Sequence, residues 1–551
     1  MNNLFKLDSL NGFIILAIGL FFTLTIIYSS RFMRGKRQIP QYYTYIILTA
    51  VASVCVALAN HLLLLLVCWG ALGLLLYLLI AFGDSQASLV AKKSFVIVGG
   101  SDALMLFGIA LIYYLSGTLR LDQLQGALPL ENNPLAIVAY LCIALACFAK
   151  AGAMPLHSWI PDAAKSAPIP VVAYLPASLD KLLGIYLLAR ISLNVFVMNK
   201  AVNIFLMVIG AFTIIAAVMM ALVQHNMKKL LGFHAVSQVG YMVLGIGTGT
   251  PIGIAGGIFH MLNHAVYKSC LFLTAGNVEY RTKTTELDEL GGLAKFMPLT
   301  YISCLIASLS ISGVPPFNGF VSKWMIYQGL VSQLQLMDYP LRITAALCLV
   351  AAMFGSGLTL ASFMKLIHAA YLGQRNNESI KHPIKEVPWQ MWLPAVILAA
   401  LCVLFGVFAN QIPLKYFIIP AIGKVDFLGD WYAGLSTLLI IAGLILGLVI
   451  FKFKEIKPAV RQDEAFIGGE RMDLNANAVT GTEFYNTVKE FGILKYIYKK
   501  AENHAFDIYD QGKKVVFGGA RILQYLHNGV LPTYLVWMLL GMIGLFWFII
   551  R

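Results

Sequence analysis

The chain is 551 residues long, 59% hydrophobic and only 12% charged, with a net charge of +14 and a mean hydropathy of +0.78. Soluble domains carry roughly a quarter charged residues, so a soluble globular protein is excluded and a polytopic membrane protein is expected. The basic excess does not imply nucleic acid, because the cations sit in short polar stretches between apolar runs.

About 14 segments are long and apolar enough to span a bilayer. They lie near 11–30, 41–59, 60–82, 91–116, 134–165, 169–194, 202–223, 230–248, 252–279, 298–334, 341–371, 390–410, 434–453 and 530–550. The first run is long enough to be a retained helix rather than a cleaved signal. Exits from odd-numbered segments carry Arg31, Arg34, Lys36 and Arg37, then Lys92 and Lys93, Lys228 and Lys229, Arg281 and Lys283, and Lys381 and Lys385. Even-numbered exits carry only Arg120, Lys200, Arg342, Lys415 and Lys424. The richer set is expected in the cytoplasm, which puts both termini outside. The eight cysteines all fall in apolar runs and none forms CxxC. No zinc or iron–sulfur spacing is present, so no cofactor or metal is expected in this chain.

The organising stretch is AKAGAMPLHSWIPDAAKSAPIPVVAYLPASLDKLLGIYLLAR, residues 149–190. An apolar helix reaches Lys150 and breaks at Gly152 and Pro155 before a polar cluster of His157, Asp162 and Lys165. KAGAMPLHSW at 150–159 resembles ISGVPPFNGF at 311–320, pairing Gly152 with Gly313 and Pro155 with Pro316, preceded by Pro315. Asp162 then sits opposite Lys323. Paired interruptions in two halves point to an ion or substrate path. Two unrelated kinks are the plainer alternative.

Ionisable residues at membrane depth are costly and usually functional. Lys150 sits in LCIALACFAKAGAMP, where a lysine stripped of water can bind and release a proton near neutral pH. His260, His264 and Lys268 recur every four residues and share one helix face. They suit a proton relay. A zinc site would lack the glutamate of HExxH and a third ligand, and hydrogen-bonded core histidines are the other alternative. Lys323, Asp102, Lys181 and His234 complete the proton-transfer candidates. Asp180 adjoins Lys181, about 100° away around a helix, so the two need not pair. Lys365 and His368 lie near a span end, where snorkelling would explain them.

From Phe484 to Leu523 apolar residues recur at spacings of three and four, interleaved with Lys489, Lys499, Lys500, Lys513 and Lys514. Some 40 residues give ~60 Å of amphipathic helix. It would lie on the membrane surface or along a neighbouring protein. A soluble helical hairpin is the alternative.

With these motifs in place, the chain resembles the antiporter-like subunits of respiratory complex I, Mrp sodium/proton antiporters and membrane-bound hydrogenases. The resemblance runs from about Ser30 onward. KAGAMPLHSWIPDA, KKLLGFHAVSQVGYM, HMLNHAVYKSCLFLTAGNV, DELGGLAKFMP and GVPPFNGFVSKW carry it. It implies an all-α membrane fold of two inverted five-helix repeats, each with a broken helix, plus a long amphipathic lateral helix. The expected divisions are 1–40 (first helix), 41–194 and 195–371 (two antiporter-like halves), 372–454 (further spans), 455–529 (cytoplasmic-side linker and lateral helix) and 530–551 (anchor).

Carried over by position, Lys150 matches the lysine of the first broken helix, and His260, His264 and Lys268 the central polar ladder. Lys323 matches the terminal residue of the second break, in the form found in the distal complex I subunit. The chain also looks short of that subunit's two N-terminal helices. Several positions depart from the pattern. The family has WE where this chain has Trp69-Gly70, so Asp102 is expected to serve as the carboxylate. Asn226 replaces an aspartate, Pro176 a histidine, and Lys181 is about one residue off a family lysine.

The implied function is proton translocation within a multisubunit redox-driven pump of the inner membrane. Its partners would be other antiporter-like and small membrane subunits, redox subunits with iron–sulfur or nickel–iron centres, and the lipid bilayer, but no nucleic acid. The alternatives are an Mrp-type sodium/proton antiporter component, an ion-driven module of inorganic-carbon uptake, and a structural component with a decayed channel.

Overall fold

The computed structural model describes residues 4–36, 38–336, 338–373, 384–452, 482 and 485–550. The expected features at Arg37, Lys381, Phe484 and the linker over 455–481 lie outside the described residues. The chain divides into two units, Met1–Thr487 and Val488–Arg551.

The larger unit is a helical bundle. Its first elements are α1 (Ser9–Phe32), α2 (Ile39–Leu58), α3 (Leu62–Ile80), α4 (Ala87–Ser116), α5 (Pro134–Ala151) and the short α6 (Trp159–Ser166). Then come α7 (Ile169–Tyr174), a π-helical turn (Leu175–Leu179) and α8 (Asp180–Arg190). They are followed by α9 (Lys200–Leu222), α10 (Met227–Gly247), α11 (Pro251–Thr282), α12 (Pro298–Ser312) and α13 (Asn318–Leu334). The last are α14 (Tyr339–Ile367), α15 (Trp389–Val407), the single turn α16 (Ile419–Ile422) and α17 (Ala433–Lys452). Among the described residues the only strands are the parallel pair Leu128–Pro129 and Phe196–Val197.

Helix starts follow from local chemistry. Asp8 and Asn11 form a reciprocal capping box on α1, with bonds of 2.8–3.0 Å. Asn226 accepts from Lys229 N at 3.0 Å to cap α10. Its amide donates to Thr285 and Glu286. A neutral amide can accept and donate at once.

Twelve helical segments among the described residues are long and apolar enough to cross a membrane. The other two expected spans are α11, where polar side chains dilute the apolar ones, and the broken α12–α13. Segments Ile169–Val195 and Met227–Gly247 are 100% buried, whereas Ala433–Ile450 is 6% buried. The polar residues of α8, α10 and α11 therefore stand at the centre of the unit. Helices α9 and α10 approach closely where Gly210 meets Gly240, and a Cβ on Gly240 would lie 2.6 Å from Gly210 O.

Charges collect at the two ends. At one end Lys93 pairs with Asp162 (2.7 Å) and Lys228 with Glu279 (3.0 Å). Arg281 donates to Glu386 O nearby. At the other, Arg190 pairs with Asp8 (2.6 Å), Arg120 with Asp122 (2.7 Å) and Lys200 with Asp338 (2.6 Å).

The smaller unit holds most of α18 (Asn486–Glu490), then α19 (Gly492–Glu502), α20 (Ile508–Leu526) and α21 (Leu531–Ile550). The amphipathic stretch is thus interrupted rather than one continuous helix. His504 takes a left-handed φ of 56° between α19 and α20, and Asp507 caps α20 by accepting from Tyr509 N at 3.0 Å.

Candidate functional site

Both breaks have the same local build. Gly152 and Gly313 take φ of +85° and +81°, and the Met154–Pro155 and Pro315–Pro316 bonds are both cis. Ala153 N donates to Phe148 O at 2.9 Å, as Val314 N does to Leu309 O at 3.0 Å. Leu156 N and Phe317 N repeat the match, donating to Ala153 O (3.0 Å) and Val314 O (3.1 Å). Such an end satisfies carbonyls of the last helical turn and needs a left-handed residue, which glycine supplies without a Cβ clash.

The lysines use this frame differently. Lys150 stands in the last turn of α5, fully buried, with Nζ 3.4 Å from Trp69 O and 4.6 Å from the Trp69 ring centroid. Its acidic neighbours are Asp180 and Asp102. Asp102 Oδ2 lies 3.6 Å from where a Cβ on Gly70 would sit and 3.9 Å from one on Gly73. The missing side chains on α3 therefore leave a notch that the α4 carboxylate enters. Lys323 follows its break, in α13. Its Nζ donates to Ile311 O at 2.8 Å and lies 4.6 Å from the Tyr241 ring centroid. A cation at a helix C-terminus is favourable.

Between these lysines runs α11. His260 is held by Ser322 Oγ (2.9 Å) on one nitrogen, and by Gln238 Oε1 (3.1 Å) and Tyr267 OH (3.2 Å) on the other. Neither nitrogen of His264 hydrogen-bonds to protein, and Lys268 Nζ and Lys181 Nζ likewise have no such partner. Lys268 lies 5.7 Å from the Phe363 ring centroid, and Lys181 5.7 Å from that of Trp159. His264 has Lys268, Lys181 and His260 as charged or titratable neighbours. His234 bonds Ser362 Oγ at 2.7 Å and has Lys268, Lys323 and Lys365 as neighbours. Buried polar atoms are normally paired, so this concentration of titratable groups without a protein partner makes the centre of the unit the candidate site.

Of the eight proton-transfer candidates, Lys150, Lys181, His264, Lys268, His234, His260 and Lys323 are buried, and Asp102 is half-buried at the edge of this group. Asp162, opposite Lys323 in the repeat, stands apart in its pair with Lys93. Lys365 does not snorkel. It is 2% exposed and donates to Leu222 O (2.6 Å), at the end of α9, and to Gln224 O (2.8 Å) just beyond it. Sequence reasoning passed over Asp180 as a site residue, and also Trp69, Gln238, Tyr241 and Ser322. The signal for Asp180 was a carboxylate inside an apolar run. The others are ordinary core residue types whose roles depend on neighbours distant in the chain.

Residues 59–360 match the family model described as NADH:quinone oxidoreductase/Mrp antiporter, TM. The chain is 30% identical over 511 residues to a Na(+)/H(+) antiporter subunit of Alkalihalophilus pseudofirmus, covering 86% of this chain and 63% of that protein. It is 30% identical over 404 residues to a Na(+)/H(+) antiporter subunit of Staphylococcus epidermidis, covering 70% and 50%. The chain therefore spans half to under two thirds of these relatives' length. Among solved structures, the membrane-bound sulfane sulfur reductase, an archaeal respiratory membrane complex, gives a TM-score of 0.81 at 23% identity, over 98% of this chain and 89% of that one. The Mrp complex from Dietzia gives 0.68 at 24% identity, over 76% and 84%. These two likenesses establish the fold.

Proposed function

We propose that this chain, which belongs to the NADH:quinone oxidoreductase/Mrp antiporter transmembrane family, is a proton-translocating subunit of a multisubunit redox-driven membrane pump. The observation that carries this reading is the group of titratable side chains from Asp102 to Lys323 at the centre of the unit, each with charged or titratable neighbours from the same group. Protons would pass between lysines, histidines and water as a neighbouring protein of the complex shifts the local charge. We read the two glycine–proline breaks as the centres of two inverted repeats, each with its own lysine. The decayed-channel reading is disfavoured, because Asp102 enters the notch left at Gly70 and restores a carboxylate near Lys150.

The end bearing Lys36, Lys93 and Lys228 is assigned to the cytoplasm by the positive-inside rule, with both termini outside. The amphipathic helices α19 and α20 are then cytoplasmic-side elements. Proposed partners are further antiporter-like and small membrane subunits, with iron–sulfur or nickel–iron centres in redox subunits. No metal or cofactor role is proposed for this chain.

A second reading, a component of a sodium/proton antiporter, is favoured by the names of the 30%-identical relatives. Purification in mild detergent with identification of the co-purifying subunits separates the two. Redox subunits support the pump. Small membrane proteins alone, with sodium-dependent proton flux in vesicles, support the antiporter.

A further inference from the structure

Asp180 is 1% exposed, and neither of its carboxylate oxygens hydrogen-bonds to protein. Burying a carboxylate this way costs several kcal/mol unless a cation compensates it. The backbone positions it deliberately. Pro176 lies in the π-helical turn Leu175–Leu179, which closes with Asp180 N bonding back to Leu175 O. A π turn inserts an extra residue into the helical phase and re-aims the side chains after it. One turn further, Gly184 lets α8 press on α5: a Cβ there would lie 2.9 Å from Ala151 Cβ and 3.1 Å from Cys147 O. Asp180 and Gly184 share a helix face, so Asp180 faces the turn of α5 that carries Lys150. On the far side of the break, Lys181 Nζ lies 3.7 Å from the Cβ position of Gly152. The two cationic neighbours of Asp180 are Lys150 and Lys181.

Resting on the translocation reading above, we propose that Asp180 is a shared proton carrier between Lys150 and Lys181, alternating its partner as Lys150 alternates between Asp102 and Asp180. While Asp102 is not paired with Lys150, Asp180 alone cannot compensate two buried ammonium groups, so in that arrangement one of the two lysines is a neutral amine. When Lys150 pairs with Asp102, Asp180 turns to Lys181. In the transfer, an N–H bond of one lysine's ammonium breaks and the proton forms O–H on Asp180. That O–H then breaks as the proton joins the lone pair of the other lysine's amine. Charge and protons are conserved, and Lys181 next meets Lys268 and His264.

The test uses the whole complex in its native membrane, energised through its own donor, with proton uptake followed in inverted vesicles. Asp180→Asn is expected to cut translocation at least about tenfold with the complex assembled, and Asp180→Glu to keep most of it. Parent-like translocation in Asp180→Asn, with Lys150→Ala inactive, overturns the Asp180 role and leaves the translocation reading standing. Parent-like translocation in both overturns the reading and the role together. Where Asp180→Asn fails to assemble, Asp180→Asn/Lys181→Gln removes the uncompensated cation. That variant is expected to assemble and remain inactive, and parent-like translocation by it would reduce Asp180 to a structural counter-charge.

Discussion

The two breaks place the same turn under different chemistry. Around Gly152 the lysine comes before the break, and two carboxylates, the half-buried Asp102 and the buried Asp180, stand near it. Around Gly313 the lysine comes after the break and is held by a helix-end carbonyl and an aromatic ring. A carboxylate can take the lysine's proton, whereas a carbonyl can only stabilise the charged form. On the proposed reading, the first half would exchange protons within a charged group, and the second would hold a proton until a histidine or water accepts it.

Removing the lysines tests this difference most strongly. Lys323→Ala should lower proton translocation by about tenfold or more with the complex still assembled, measured by dye quenching in vesicles. Unchanged pumping would sink the mechanism. Asp102→Ala should give a smaller loss, since Asp180 still compensates Lys150. Adding Gly70→Glu to Asp102→Ala should restore part of it, because the notch at Gly70 is then free. No recovery would show that the carboxylate must come from α4.

The glycines sharpen the contrast. At both positions an added Cβ meets an unfavourable left-handed backbone, costing about 1–2 kcal/mol. At Gly152 it would also overlap Ile160 Cδ1 at 1.8 Å, whereas at Gly313 its nearest neighbour is Lys323 Cδ at 3.0 Å. Gly152→Ala should thus reduce the yield of assembled complex on a native gel. Gly313→Ala should assemble better and be slowed in translocation, by displacing the lysine. Equal behaviour would mean the two breaks differ less than their surroundings suggest.

The smallest effect lies at the bundle end, at Asp8. Burial raises its carboxyl, but the hydrogen bond and charge of Arg190 outweigh this and leave it below its ordinary 3.8. A depressed carboxyl contributes stability that is full above its ordinary value and lost as pH falls through the lowered one. Asp8→Asn should therefore lower thermal stability by about 1 kcal/mol at neutral pH, and the gap from the parent should close in acid. A gap independent of pH would assign the effect to the cap on α1.

Much of the site was readable because ionisable residues are rare in apolar runs. Lys150, Lys268, Lys323 and the histidines of α11 each stand out for that reason. Asp180 was just as visible, but helix periodicity separated it from Lys181. Its link to Lys150 depends on α8 crossing α5 at Gly184. The interruption between α19 and α20 was hidden by a hydrophobic stripe that carries its period through the turn at His504.

By itself the sequence determined the membrane class, nearly all the spans, both breaks and the titratable residues. Each of these rests on composition or on spacing within one segment, where desolvation and helix geometry act locally. The tertiary structure alone decided which charges meet: Asp102 in the notch at Gly70, Asp180 toward Lys150, and Lys323 on the Ile311 carbonyl and beside Tyr241. The two carboxylates' approaches depend on how closely helices from distant parts of the chain can pack, which small residues on the facing helix permit and local periodicity does not encode.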